Sequence, residues 1–271
     1  MALPIALQVY SVRDDASADL RGTLEKIKEM GYDGVEFAGL YGHTPEEVRM
    51  MCEDTGLVPV SAHVKMAEIL ERPEVFCDYK HIGCRYVALP SLPYTTKELC
   101  TGNIVTAISY AKQAGKLAKE QGIQLLYHNH ESEFTSTGGE YVLDILYKAT
   151  TPDELQTEID TCWVKIGGEN PNGYIRKYKG RSPIVHLKDF AGEKAGELYE
   201  MIGEDARKPK RPADLELRPV GYGMQDMVEI IKAAEDAGAK WLVVEQDRPS
   251  MGLTPMECAQ KSREYLKTIG Y

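Results

Sequence analysis

Tyr10-Ser11-Val12-Arg13-Asp14-Asp15 follows the first apolar run of the chain, and its reading decides between two folds. An open, doubly wound sheet that binds a dinucleotide needs a glycine-rich turn here, so that backbone N–H groups can close on the pyrophosphate. No glycine stands there. The rest of the chain repeats one unit, a short β-rich run followed by a helical stretch, which is the pattern of parallel βα units. Strand candidates fall at residues 5–10, 34–37, 58–63, 86–89, 124–130, 156–160, 184–187 and 241–246. Their apolar content suits strands covered on both faces. Eight alternating units without a phosphate turn predict an α/β fold, a closed (β/α)8 barrel. A length of 271 residues is ordinary for one such domain, here 1–271.

Helix punctuation supports the count. Thr44-Pro45-Glu46-Glu47 and Thr254-Pro255-Met256-Glu257 read as capping boxes with proline in the first turn. Leu20, Leu24 and Ile27, and Ile104, Ala107, Ile108 and Ala111, recur at helical spacing. Gly31, Gly122 and Gly238 stand between helix and next strand, where a left-handed residue ends a helix.

The net charge of −10 disfavours nucleic acid as a partner, because binding a polyanion leans on a basic surface. No apolar run approaches a membrane span, and Met-Ala-Leu-Pro-Ile has neither the basic nor the long apolar region of a signal peptide. The expected location is cytoplasmic, without a membrane partner, and a homo-oligomer is compatible with this reading. The six cysteines are scattered without a CxxC pair and read as reduced, mostly buried thiols. One connection is out of scale: residues 189–223 separate the seventh strand from its helix, the length of a lid or substrate clamp. It contains the basic run Arg207-Lys208-Pro209-Lys210-Arg211-Pro212, which reads as a solvated loop or as a seat for an anionic substrate group.

In a barrel, residues at the carboxyl ends of the strands converge on one funnel. The polar residues found there are Gln8, Tyr10, Glu36, His63, His128, Asn129, His130, Glu158, Asp160, His186, Lys188, Asp189, Glu245 and Asp247. A lone histidine at such a place is more often structural. Four of the chain's six histidines fall there together, and imidazole beside carboxylate suits one divalent metal ion, Mn²⁺, Zn²⁺, Co²⁺ or Mg²⁺.

The segments Tyr127-His128-Asn129-His130-Glu131, Glu158-Ile159-Asp160-Thr161-Cys162, Val185-His186-Leu187-Lys188-Asp189-Phe190 and Val244-Glu245-Gln246-Asp247, with 7–13 and 34–39, resemble the sugar phosphate isomerase/epimerase family. That family belongs to the xylose isomerase-like TIM barrel superfamily. The resemblance implies one metal held by His128, Asp160, His186 and Glu245, a residue from each of strands five to eight. Ketose 3-epimerases of the group carry a glutamate on strand five; this chain offers His128 by register, with His130, Glu131 and Glu133 in reserve.

The implied chemistry is metal-dependent isomerisation or epimerisation of a ketose or keto-sugar through an enediolate, with a small carbohydrate as substrate. His130 and Glu245 are candidate bases, and Lys188 a donor to the developing oxyanion. Glu36, His63, Gln8, Tyr10 and Trp163 are candidate substrate contacts, and Glu158, on the inward face with Asp160, is placed to orient a ligand. The alternative is a metal-dependent lyase, resembling the inosose dehydratases or enzymes that cleave 3-keto glycosides. A remote alternative is a DNA-repair enzyme like endonuclease IV, whose site needs a further histidine where Trp163 stands.

Overall fold

The computed structural model describes residues 2–192 and 215–271. Eight parallel strands line its centre: β1 (Ile5–Gln8), β2 (Gly34–Phe37), β3 (Val58–Ala62), β4 (Tyr86–Leu89), β5 (Gln124–His128), β6 (Gln156–Asp160), β7 (Ile184–Leu187) and β8 (Trp241–Val244). Their hydrogen-bonded order is β3-β2-β1-β8-β7-β6-β5-β4. The ring comes round where β3 meets β4: His63 and Ala88 form a lone parallel bridge. Val64 N–H donates to the Ala88 carbonyl at 3.0 Å and Arg85 N–H to that of Val60 at 3.2 Å. The result is a nearly closed barrel, as the missing phosphate turn predicted.

Four strands stop earlier than the sequence suggested, and side chains account for two of the stops. The Gln8 amide oxygen accepts from Tyr10 N–H at 3.0 Å, which turns the chain into a 3₁₀ turn over Val9–Val12. Tyr10 therefore belongs to that turn and not to a strand. On β5, His130 N–H is taken by the Glu133 carboxylate at 2.6 Å and leaves the sheet ladder. β3 and β8 end at Ala62 and Val244, although Glu245 N–H still reaches the Leu187 carbonyl at 3.2 Å.

The interior is layered. Ala6, Val60, Ala88, Leu126, Ile184 and Val243 form an apolar plug, with Tyr86 and Trp241 packed against it. Gly34 makes room there: a Cβ would lie 2.5 Å from the Val58 carbonyl oxygen and 3.2 Å from the Trp241 ring. The plug excludes water from below, so polar side chains one step further along each strand face only the carboxyl-end mouth. Outside the barrel, both expected capping boxes form. Thr95 with Glu98 adds the same reciprocal motif, Glu154 accepts from Thr151 N–H while its own N–H goes to the Thr151 carbonyl, and Gly31 and Gly238 take the left-handed conformation.

The long connection is ordered at both described ends. Asp189–Ala191 pairs antiparallel with Glu216–Arg218, and the Asp189 carboxylate accepts backbone N–H groups of Phe190, Gly221, Gly223 and Gln225 at 2.9–3.2 Å. The basic run 207–212 lies outside the described residues. Among the described residues no helix is long and apolar enough to cross a membrane.

Candidate metal centre

Above the apolar plug lies a layer made almost wholly of imidazoles and carboxylates. Parallel pairing puts His128 level with Glu158, and Asp160 level with His186. Because strand side chains alternate, Glu158 and Asp160 both face inward, one above the other. Asp160 is held from two sides. Its Oδ1 caps the helix Thr161–Ile166, accepting from Cys162 N–H at 2.8 Å and Trp163 N–H at 3.1 Å. The Asn129 side chain bonds the Asp160 backbone on both its N–H and its carbonyl. This leaves Asp160 Oδ2 enclosed, accepting no hydrogen bond, with the Lys188 ammonium 3.2 Å away.

Four donor atoms meet at this point. His128, Asp160, His186 and Glu245, all buried, each bring one ligand atom, and these lie within 4.8 Å of one another. His128 Nε2 is 3.7 Å from Asp160 Oδ2 and 3.9 Å from Glu245 Oε2, and His186 Nδ1 is 3.1 Å from Glu245 Oε2. An ion with bonds of about 2.0–2.2 Å spaces its ligand atoms roughly 3–3.6 Å apart, so the His186–Glu245 pair already has that spacing and His128 would close on the ion by a few tenths of an ångström.

A second cluster shares two of these residues: His63, His128, Glu158 and His186 also gather their donor atoms within 4.8 Å. Two of its contacts are hydrogen bonds, and His186 Nε2 is close to two carboxylates without a hydrogen bond to either. Glu158 Oε1 is 2.7 Å from His63 Nε2, 3.2 Å from His128 Nδ1 and 3.1 Å from His186 Nε2. Glu36 Oε1 lies 3.1 Å from His63 Nε2 and 2.9 Å from His186 Nε2 and accepts from Gln8 Nε2 at 2.7 Å. Ser61 donates to the other Glu36 oxygen.

The charges in this layer do not balance within the protein. Glu36, Glu158, Asp160 and Glu245 are buried beside one buried lysine, Lys188, and a buried carboxylate is costly unless paired. Burial alone would raise the Glu36 carboxyl, but the His63 and His186 imidazoles outweigh it and hold it well below its usual range. Burial also pulls His63 down, yet Glu36 and Glu158 outweigh it and lift it to about 10. The same two carboxylates carry His186 well above its ordinary value against its own burial. His128 moves the other way, lowered by burial and then by the neighbouring His186. A neutral imidazole is what a metal ligand requires. Burial pushes Asp160 up to about 6, against the pull of Lys188. An excess of enclosed negative charge, an oxygen without a hydrogen bond and convergent donors are together what a divalent cation would satisfy.

Lys188 Nζ bridges Asp160, Glu245 and Asp247 at 3.2, 3.0 and 3.1 Å. Burial pulls it down but these carboxylates outweigh it, so it stays charged. Its ammonium sits 5.0 Å from the Trp163 ring centre, and the His130 ring is 5.6 Å from Trp163 and 5.0 Å from His128. Burial, then Lys188, keeps His130 well below its usual value. The structure thus gathers His63, His128, His130, Glu158, Trp163, Asp160, His186, Lys188 and Glu245 at one mouth. Gln8 and Glu36 lie in its floor, fully buried and hydrogen-bonded. Tyr10 stands apart on its turn, its ring 4.3 Å from the Arg13 guanidinium. Glu131 and Glu133, the reserve ligands, are buried on the 3₁₀ turn Glu131–Phe134 and belong to neither cluster. Sequence reasoning missed Ser61, whose hydroxyl completes Glu36; the β3 register against Glu36 was the available signal. It also missed Asp247 as a partner of Lys188.

Residues 79–269 match the model of the family described as xylose isomerase-like TIM barrel. An inosose dehydratase of Lacticaseibacillus casei is 28% identical over 161 residues, which are 57% of this chain and 51% of that protein. The chain spans about half the length of the curated relatives it matches. A sugar phosphate isomerase/epimerase from Parabacteroides distasonis superimposes with a TM-score of 0.77 at 24% identity, over 98% of each chain. The IOLI protein, solved with a binding zinc atom, superimposes with a TM-score of 0.72 at 15% identity, again over 98% of each chain. At these identities the solved structures establish the shared fold.

Proposed function

This chain belongs to the xylose isomerase-like TIM barrel family, and from that premise we propose a divalent-metal-dependent enzyme that moves a proton beside the ketone of a polyhydroxylated, sugar-like substrate, as an isomerase or epimerase. The observation that carries the reading is the convergence of His128, Asp160, His186 and Glu245 around one point, with a charged lysine against two of them. A zinc-bound neighbour of the same fold supports the metal. A divalent ion held there would polarise the ketone and acidify the adjacent C–H.

The protein's own groups divide the rest of the work. Lys188 keeps its proton at Nζ, so it serves as a hydrogen-bond donor to the oxygen on which charge develops, not as a base. His130, neutral and beside Trp163, is the group to take the α-proton. Trp163 supplies an apolar wall that excludes water, and its buried Nε1–H, without a hydrogen-bond partner, is a donor for a substrate hydroxyl. His63 stands at the edge of the cluster, its side chain 10% exposed, and is placed to contact substrate. Gln8 and Glu36 support the imidazoles from below.

A second reading, β-elimination, is favoured by one specific feature. An epimerase needs proton donors on both faces of the reacting carbon, whereas β5 presents an imidazole, His128, where a second carboxylate would stand. In elimination the His130 side would remove the α-proton, its electron pair would form the C=C bond, and the β C–O bond would break. Lys188 would hydrogen-bond the departing oxygen, and the His130 imidazolium, carrying the α-proton, would protonate it to water. The inosose dehydratase relatives support this reading.

Metal analysis of the purified protein, followed by a screen of ketoses, inososes and 3-keto glycosides in deuterated water, tests the proposal. Exchange at the α-carbon with a saturated product supports isomerisation; an unsaturated product supports elimination. Turnover that survives both chelation and Asp160→Ala would sink both.

A further inference from the structure

We infer that Asp247 is a positioning residue, the carboxylate that keeps the Lys188 ammonium at the mouth when a divalent cation takes the oxygens of Asp160 and Glu245. This rests on the proposed metal site and adds to it the group that holds its lysine.

The ion and the lysine compete for the same two atoms. Asp160 Oδ2 and Glu245 Oε2 face His128 Nε2 within the donor cluster, and the same two oxygens lie 3.2 and 3.0 Å from Lys188 Nζ. Two positive charges that share one pair of oxygens repel each other, and a buried ammonium is costly unless it stays paired. Asp247 Oδ1, at 3.1 Å, is the third partner of Nζ, and Asp247 belongs to neither cluster of possible ligands. Its charge is therefore left to the lysine. It is also the outermost of the three, its side chain 29% exposed against 0% for Asp160 and 5% for Glu245. A pull toward Asp247 draws Nζ toward the opening, where a substrate oxygen would arrive.

Asp247 stands on a fixed backbone. Its carbonyl accepts from Arg13 Nη1 at 2.9 Å, and the same nitrogen donates to the Tyr10 carbonyl at 2.9 Å. One residue earlier, Gln246 N–H donates to the Ser11 hydroxyl at 3.0 Å, and Gln246 Nε2 to the Arg248 carbonyl at 2.8 Å. The segment after β8 is thus tied to the turn after β1 at two successive residues. A carboxylate on so fixed a segment holds its partner without further ordering. Among the described residues, Lys188 is the one cation in contact with it.

The test is a double-mutant cycle on Zn²⁺ affinity, measured by competition with a chelating dye on wild-type protein, Asp247→Asn, Lys188→Met and the double variant. With the lysine present, Asp247→Asn leaves an ammonium poorly compensated beside the ion, and Zn²⁺ should bind about tenfold more weakly. In the Lys188→Met background the loss caused by Asp247→Asn should be smaller by at least about threefold, because no ammonium is left to hold. Losses that differ by less than that, or no loss in either background, would show that Asp247 does not act through Lys188, and would overturn this inference while leaving the metal site standing. Wild-type protein that binds no ion overturns both. Should a lysine variant fail to fold, the crystal structure of Zn²⁺-loaded wild type decides. Lys188 Nζ within about 4 Å of an Asp247 oxygen is expected, and an ammonium that has left Asp247 is contradictory.

Discussion

The Lys188 ammonium lies 3.0 Å from Glu245 Oε2, against a residue proposed to hold the cation. Asp160 Oδ2 is on its other side at 3.2 Å. A lysine in this place has two consequences. It supplies positive charge where substrate oxygen would gain negative charge, and it neutralises part of a carboxylate cluster that would otherwise repel itself.

Lys188→Met separates these effects. Removing one member of a buried ionic group leaves the other uncompensated, at a cost of about 3–5 kcal/mol. In the presence of a chelator the variant should unfold at clearly lower urea concentration than wild type. Excess Zn²⁺ or Mn²⁺ should restore more than half of the loss, because divalent charge then faces Asp160 and Glu245. Identical urea curves in chelator would show that the lysine is not needed to hold the carboxylates together.

Asp160 has one oxygen on a helix cap and one toward the centre, and substitutions can divide the two. Asn caps about as well as Asp, whereas Ala forfeits about 1 kcal/mol. Asp160→Asn should therefore melt closer to wild type than Asp160→Ala does, while both lose bound metal by elemental analysis. Full metal occupancy in Asp160→Asn would exclude Oδ2 as a ligand.

His130 is expected to act on substrate and not on the ion. His130→Gln should lower kcat by about 10²–10⁴-fold with KM within a few-fold and metal content unchanged. Lost α-proton exchange in deuterated water would accompany the drop. A variant that instead loses its metal would return His130 to the ligand set.

The barrel was legible because its signals are local: apolar runs of strand length, Thr-Pro-x-Glu helix starts and glycine stops each need only a few neighbouring residues. The strand-end residues that form the mouth were legible for the same reason, since alternation places every second side chain inward. What the sequence does not carry is which atom meets which. Glu158 and Glu36 are the same residue type at strand ends, yet Glu158 Oε1 is hydrogen-bonded to His128 Nδ1 and ion-paired with His186 at 3.1 Å, whereas Glu36 is ion-paired with His186 at 2.9 Å. Asp189 and Asp247 both follow ligand strands. Asp247 reaches Lys188, whereas Asp189 turns outward to gather four backbone amides. The premature ends of β1 and β5 arise from side chains, Gln8 and Glu133, that outcompete the sheet for a backbone N–H. Such competition depends on tertiary placement and leaves no periodic trace.

Glu133 gives the protein a pH-dependent stability that is separable from the metal centre. Its carboxylate is buried, accepting from His130 N–H at 2.6 Å and from the Ser132 hydroxyl at 2.9 Å. Burial raises it from 4.5 to about 7, more than these hydrogen bonds lower it. Between those two values the folded protein keeps the proton while the unfolded chain releases it. The unfolded state then binds fewer protons, so stability from this group is fully present below about pH 4.5, falls as pH rises through 7, and levels off above. The full span corresponds to an order of magnitude of about 3 kcal/mol. Urea unfolding of wild type and Glu133→Gln, in chelator from pH 5 to pH 8, isolates the effect. The advantage of wild type over the variant should shrink as pH rises, because glutamine has no proton to lose. Parallel stability curves across that range would mean that Glu133 is ionised in the folded protein, and that the two hydrogen bonds outweigh its burial.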